Sequence, residues 1–217
     1  VKTHLVKVCC ISSLTEAKTA LEAGADFLGL VSEMPSGPGV ISLDKIAEIT
    51  HALPPETRTI LLTSKGSYQA ILTQHEQVKT WGIQIVDKLP AGELQKLRKL
   101  LPKTPLIQVV HVSGKSSVSE ALNYEDLVDY ILLDSGDPEA ATRTLGGTGE
   151  THDWNISREI CEKSSLPVFL AGGLKPDNIL AAKEMVQPDG FDLCSGARAG
   201  DILDKDLLLD FMRLVHG

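Results

Sequence analysis

The chain has 217 residues, 42% of them hydrophobic but only 4% aromatic, with 21 Lys and Arg against 29 Asp and Glu for a formal net charge of −8. That length makes one large domain or two small ones, and an aliphatic core of this kind suits a buried parallel sheet. An acidic balance with no basic run to offset it argues against nucleic acid or an anionic membrane as partner, while a local site for a small anion stays open.

The elements alternate from the start. Val6–Ile11 reads as a first strand, Ser12-Ser13 as a cap, and Leu14, Ala17 and Leu21 as one helical face ended at Gly24. Strand Phe27–Val31 is followed by a Pro/Gly loop from Met34 to Gly39, a helix Leu43–Leu53 stopped by Pro54-Pro55, strand Thr59–Thr63 and helix Tyr68–Val78. Strand Gly82–Val86, helix Ala91–Leu101, strand Leu106–Val112 and a weak helix Val118–Tyr124 continue the pattern. Strand six is Tyr130–Asp134, with a glycine-rich loop and helix Trp154–Lys163; strand seven is Pro167–Ala171 with helix Pro176–Met185; strand eight is Phe191–Cys194, closed by a helix sharing Leu207, Leu208, Phe211 and Val215 on one face. Strict alternation implies a parallel sheet, and eight units imply an α/β (β/α)8 TIM barrel over 1–217 as a single domain. An open doubly wound sheet is the alternative. No apolar run reaches the roughly 18 residues of a membrane span, and there is no signal-peptide pattern. Cys9, Cys10, Cys161 and Cys194 fit neither a disulfide framework nor a zinc motif. A cytoplasmic protein is expected.

In such a barrel function sits where strands end. Those ends carry Cys9, Asp134, the loop Gly146-Gly147-Thr148-Gly149, then Gly172-Gly173 and Ser195-Gly196. Bare backbone N–H groups at Gly147, Thr148, Gly149, Gly172, Gly173, Ser195 and Gly196 suit a phosphate grip, since loops after strands seven and eight commonly form one. A phosphorylated small-molecule substrate is the reading. A strand cysteine is most often an inert core residue. Alternation, however, puts Lys7 and Cys9 on one face and Val6, Val8 and Cys10 on the other. Lys7 and Cys9 then face the barrel interior, where the ammonium favours a thiolate and Lys7 also counts among the substrate-binding candidates; Cys10 packs outward as the structural cysteine. Asp134 reads either as a turn former or as a carboxyl that partial desolvation keeps protonated, an acid. A thiol base with a carboxyl acid suits proton shuffling on a sugar, with no metal or redox cofactor.

These residues, in this order, resemble the phosphoribosylanthranilate isomerases of tryptophan biosynthesis. Lys7-Val8-Cys9, Leu132-Leu133-Asp134, Gly146-Gly147-Thr148-Gly149 with Asp153-Trp154, Ala171-Gly172-Gly173-Leu174 with Pro176 and Asn178, and Asp192 with Ser195-Gly196 carry the likeness. The resemblance implies an Amadori rearrangement of N-(5-phosphoribosyl)anthranilate, with Asp134 as general acid at the furanose oxygen, Cys9 as general base at C2, and a monomeric or homodimeric enzyme. It also exposes departures. The family usually has an arginine after the proline of the second loop, for the anthranilate carboxylate; here Pro38 is followed by Gly39. Gln84-Ile85-Val86-Asp87 replaces Gln-Leu-His-Gly, Cys10 replaces the glycine after the catalytic cysteine, and Arg198 stands near a usual glutamate. Losing a charged hydrogen bond worth about 1.5–3 kcal/mol weakens binding tenfold or more unless compensated, and Arg143, Lys65 and His111 are the candidates to supply the charge. An isomerase for a related aminosugar with another aglycone, and a non-catalytic sugar-phosphate barrel, are the alternatives.

Overall fold

A computed structural model describes residues 4–35, 37–90, 92–135 and 153–217. Eight parallel strands, β1 (Leu5–Val8), β2 (Phe27–Val31), β3 (Thr59–Thr63), β4 (Gly82–Ile85), β5 (Leu106–His111), β6 (Tyr130–Asp134), β7 (Val168–Leu170) and β8 (Gly190–Leu193), close into a barrel with β8 paired to β1. Around it run α1 (Leu14–Glu22), α2 (Leu43–Ala52), α3 (Tyr68–Val78), α4 (Glu93–Leu100), α5 (Ser116–Leu122), α6 (Trp154–Lys163), α7 (Ile179–Val186) and α8 (Lys205–His216). The closed barrel replaces the open-sheet alternative.

Local chemistry sets the helix starts. Ser13, Ser42 and Ser67 each accept a hydrogen bond from the backbone N–H three residues on, opening α1, α2 and α3. The first turn of α7 begins three residues later than Pro176, because Asn178 bonds backward: its Nδ2 donates to Gly173 O at 2.8 Å and its Oδ1 accepts from Lys175 N. A two-residue pair, β9 (Arg198–Ala199) with β10 (Ile202–Leu203), separates β8 from α8; strands so short carry no period to read.

Apolar side chains divide into an outer layer between sheet and helices and an inner cluster filling the barrel. At its N-terminal end Phe27, Tyr130 and Phe169 meet edge to face at 5.5–6.1 Å, and Arg58 lies over Phe27 and Trp81. This aromatic plug seals the bottom. The open end is therefore the C-terminal one. Among the described residues no helix is long and apolar enough to cross a membrane.

Candidate active site

β1 hands its last residues to the mouth of the barrel. Cys9 N donates to Leu193 O at 2.8 Å and Ile11 N to Gly29 O at 3.0 Å, so the chain bonds both neighbouring strands. Cys10 between them has φ +62°, a left-handed conformation. Side-chain alternation fails at that residue. Cys10 therefore does not pack outward beneath the helices, as alternation predicts; it turns into the mouth beside Cys9, and its Sγ lies 2.6 Å from Cys194 Sγ.

Beneath Cys9 sits a buried ion pair, Lys7 Nζ to Asp192 Oδ2 at 2.9 Å, with the two side chains 1% and 8% exposed. Gly29 on β2 makes room for it. A Cβ at Gly29 would stand 2.9 Å from Cys9 Sγ and 3.2 Å from Lys7 Nζ, so thiol and ammonium share the space above one glycine. A hydrogen bond with Cys10 pulls the Cys9 thiol below the usual thiol range, and the Lys7 charge adds to that pull against the cost of burial. Burial works against the Lys7 charge, but Asp192 and the thiols hold its pKa above the ordinary lysine value. Lys7 thus lies under the cavity floor and acts on Cys9.

Asp134 ends β6, half-buried, with Oδ1 accepting from Ser135 N at 2.7 Å. Cys9 and Asp134 line one cavity together with Gly172, Gly173, Ser195 and Asp192. Gly172 and Gly173 have φ of +82° and +62°, and a Cβ at Gly172 would meet Ser135 Oγ at 2.8 Å, so this turn needs glycine twice over. Gly196 sits behind the cavity wall. A Cβ there would reach within 2.0 Å of Leu174 O, so it is the contact at which the loops after β7 and β8 nest. Five of the expected site residues therefore surround one cavity, with Lys7 below it and Gly196 behind it. Gly147, Thr148 and Gly149 lie outside the described residues, as does Arg143.

The other candidate charges do not line that cavity. Lys65 pairs with Glu33 at 3.0 Å in a separate cleft over α3. His111 ends β5 in register with Asp134 and its Nε2 lies 3.1 Å from Val86 O. Arg198 turns from the mouth to Glu16, at 3.0 Å, and to the carbonyl of Cys10. Gly39 has φ +75°, and a Cβ there would fall 2.5 Å from Cys10 Cβ. Two departures from the family pattern thus meet: the Cβ and Cα of Cys10, 2.5 and 2.9 Å away, occupy the space that a side chain at residue 39 would need. Periodicity could not find Asp192 or Cys194 as pocket residues; the signal available was an aspartate inside an otherwise apolar strand.

The family model for N-(5'-phosphoribosyl)anthranilate (PRA) isomerase matches residues 6–213. The chain belongs to the phosphoribosylanthranilate isomerase family. Members similar to it include the N-(5'-phosphoribosyl)anthranilate isomerases of Methanocella arvoryzae, 33% identical over 94% of this chain and 93% of that one, and of Haloferax volcanii, 34% identical over 95% and 90%. The phosphoribosylanthranilate isomerase structure from Thermotoga maritima superposes with a TM-score of 0.83 at 29% identity, covering 98% of each chain. Another solved isomerase of the family, at TM-score 0.80 and 26% identity over 98% of each chain, holds reduced 1-(o-carboxyphenylamino)-1-deoxyribulose 5-phosphate. Phosphoribosylanthranilate isomerases are thus similar to this chain along nearly its whole length.

Proposed function

We propose that the chain catalyses the Amadori rearrangement of N-(5-phosphoribosyl)anthranilate, with Asp134 and Cys9 carrying its two proton transfers. Family membership supports the reaction, and the observation that supports the residues is one cavity lined by both a carboxyl group and a down-shifted thiol. Asp134 protonates the furanose oxygen and the ring opens to a Schiff base. Cys9, as thiolate, takes the C2 proton, and the resulting enolamine tautomerises to the aminoketose. Cys10 and Lys7 favour the Cys9 thiolate, through hydrogen bonding and charge. The phosphate is held by backbone N–H groups of the glycine turns, with Gly172, Gly173 and Ser195 on the described side and Gly147, Thr148 and Gly149 completing the grip. The same reading gives a cytoplasmic enzyme of one barrel domain, monomeric or homodimeric; the Thermotoga maritima relative is dimeric.

The test is turnover of N-(5-phosphoribosyl)anthranilate, followed as loss of the substrate's anthranilate fluorescence. Cys9→Ser and Asp134→Asn should each lower kcat by about 10²–10⁴-fold while inorganic phosphate still competes with equal strength. Full activity in either variant removes that residue from the mechanism. Absence of turnover by the parent enzyme removes the substrate.

A further inference from the structure

Neither Cys10 nor Cys194 transfers a proton in that reaction, yet their sulfur atoms stand 2.6 Å apart at the barrel mouth. Each is drawn there by the chain: Cys10 by its left-handed backbone at φ +62°, Cys194 by following β8 in register beside β1. A disulfide bond is about 2.05 Å long, so the two atoms need to close by only about half an ångström. The loop after β2 packs on the pair without a side chain between them: Cys10 Sγ donates to Pro38 O at 3.6 Å and Gly39 lies against Cys10. Both sulfurs line the substrate cavity and also a second cavity beyond it, beside Ser12 and Arg198. With Pro38 and Ser195, the pair lies between the two. Cys10 is 4% exposed and Cys194 half-buried, which makes Cys194 the sulfur that a reagent meets first.

We propose that Cys10 and Cys194 form a reversible oxidation site, a dithiol that small-molecule disulfides of the glutathione class convert to an intramolecular disulfide at the active-site mouth. The Cys194 thiolate attacks one sulfur of the reagent, giving a mixed disulfide and releasing one thiolate. The Cys10 sulfur, its proton passing to solvent, then displaces the second thiolate. Two protein thiols are oxidised, one reagent disulfide is reduced, and the two protons end on the two released thiols. The consequence for catalysis follows from position. Once its sulfur is bonded to Cys194, Cys10 no longer carries a thiol proton beside Cys9 in the shared cavity, which weakens the influence that lowers the Cys9 thiol's pKa.

The experiment incubates the full chain with glutathione, either reduced or oxidised, then alkylates, counts thiols and maps peptides. Four thiols are expected in the reduced buffer and two in the oxidised one, with a linked peptide joining Cys10 to Cys194. The isomerase rate should fall about tenfold in the oxidised buffer and recover with dithiothreitol. In Cys194→Ser the ratio of rates in the two buffers should stay near one. Four thiols in both buffers, a link or adduct on Cys9 in place of the Cys10–Cys194 link, or an equal loss of rate in Cys194→Ser would each overturn the proposal. The thiol count and map of the unaltered chain need neither a variant nor the proposed reaction, so they separate failure of this site from failure of the isomerase reading.

Discussion

Cys10 holds a backbone conformation that costs an L residue about 1–2 kcal/mol, and Gly39 packs directly on it. The two positions should therefore answer together. Gly39→Ala puts a methyl group 2.5 Å from Cys10 Cβ at a φ that alanine resists, and should destabilise the chain by about 2–3 kcal/mol. In a Cys10→Gly background the clash with Cβ and Sγ is gone, and the same change should cost about 1 kcal/mol less. A double-mutant cycle in urea reads that difference; additive costs would mean the two residues do not share the space. The same sulfur acts on chemistry. The thiol of Cys9 is held below its ordinary range by Cys10 and then by Lys7, so the acid limb of kcat/KM, which follows thiolate formation, should lie below an ordinary cysteine titration. Cys10→Ala should move that limb to higher pH, because it removes the neighbour that favours the thiolate. A pH–rate profile that does not move would take Cys10 out of Cys9's ionisation.

Between elements the decisive contact joins α1 to the β9–β10 hairpin. Glu16 accepts from Arg198 Nη1 at 3.0 Å, from Leu203 N at 2.9 Å and from Ser12 N at 2.8 Å, and both side chains of the ion pair are about nine-tenths buried. Burial alone would raise the Glu16 pKa, but Arg198 and the two backbone donors hold it below the usual carboxylate range. A carboxyl depressed in the folded state adds stability that is complete above its unfolded value near 4.3 and is lost as pH falls through the folded value. The melting temperature should therefore drop below about pH 4, and part of that drop should vanish in Glu16→Gln. At neutral pH Glu16→Ala strands a buried guanidinium and should cost about 3 kcal/mol in chemical denaturation. None of this was legible from the chain, because Glu16 and Arg198 are far apart in sequence and the hairpin is too short for a pattern. The eight strands were legible, since each is an apolar run of few residues, closed by serine or glycine in all but the fourth, which ends at Asp87. The bend at Cys10 was not: alternation assumes extended backbone, and a single left-handed residue reverses which way a side chain points. Lys7 was readable as interior, while its partner Asp192 came only from barrel closure.

On the scale of the whole barrel, stability and chemistry occupy opposite ends. The aromatic plug of Phe27, Tyr130 and Phe169 under Arg58 closes the N-terminal end, and Gly190 at the foot of β8 is pressed against it, since a Cβ there would meet the Phe169 ring at 2.5 Å. The C-terminal end carries Cys9, Asp134 and the glycine turns, on residues whose side chains face open space. Closing a sheet on itself removes every edge, so the plug can hold the barrel without help from the loops above. Truncating it should then change stability alone. Phe169→Ala removes a buried ring and should lower the unfolding free energy by about 3–5 kcal/mol, with kcat unchanged within about twofold at temperatures where the variant stays folded. Asp134→Asn should do the reverse, leaving the denaturation midpoint nearly in place while turnover is lost. A plug variant that is folded, by calorimetry, yet slow would show that the two ends are mechanically coupled, and the interior ion pair of Lys7 and Asp192, which lies between them, would be the first place to look for the coupling.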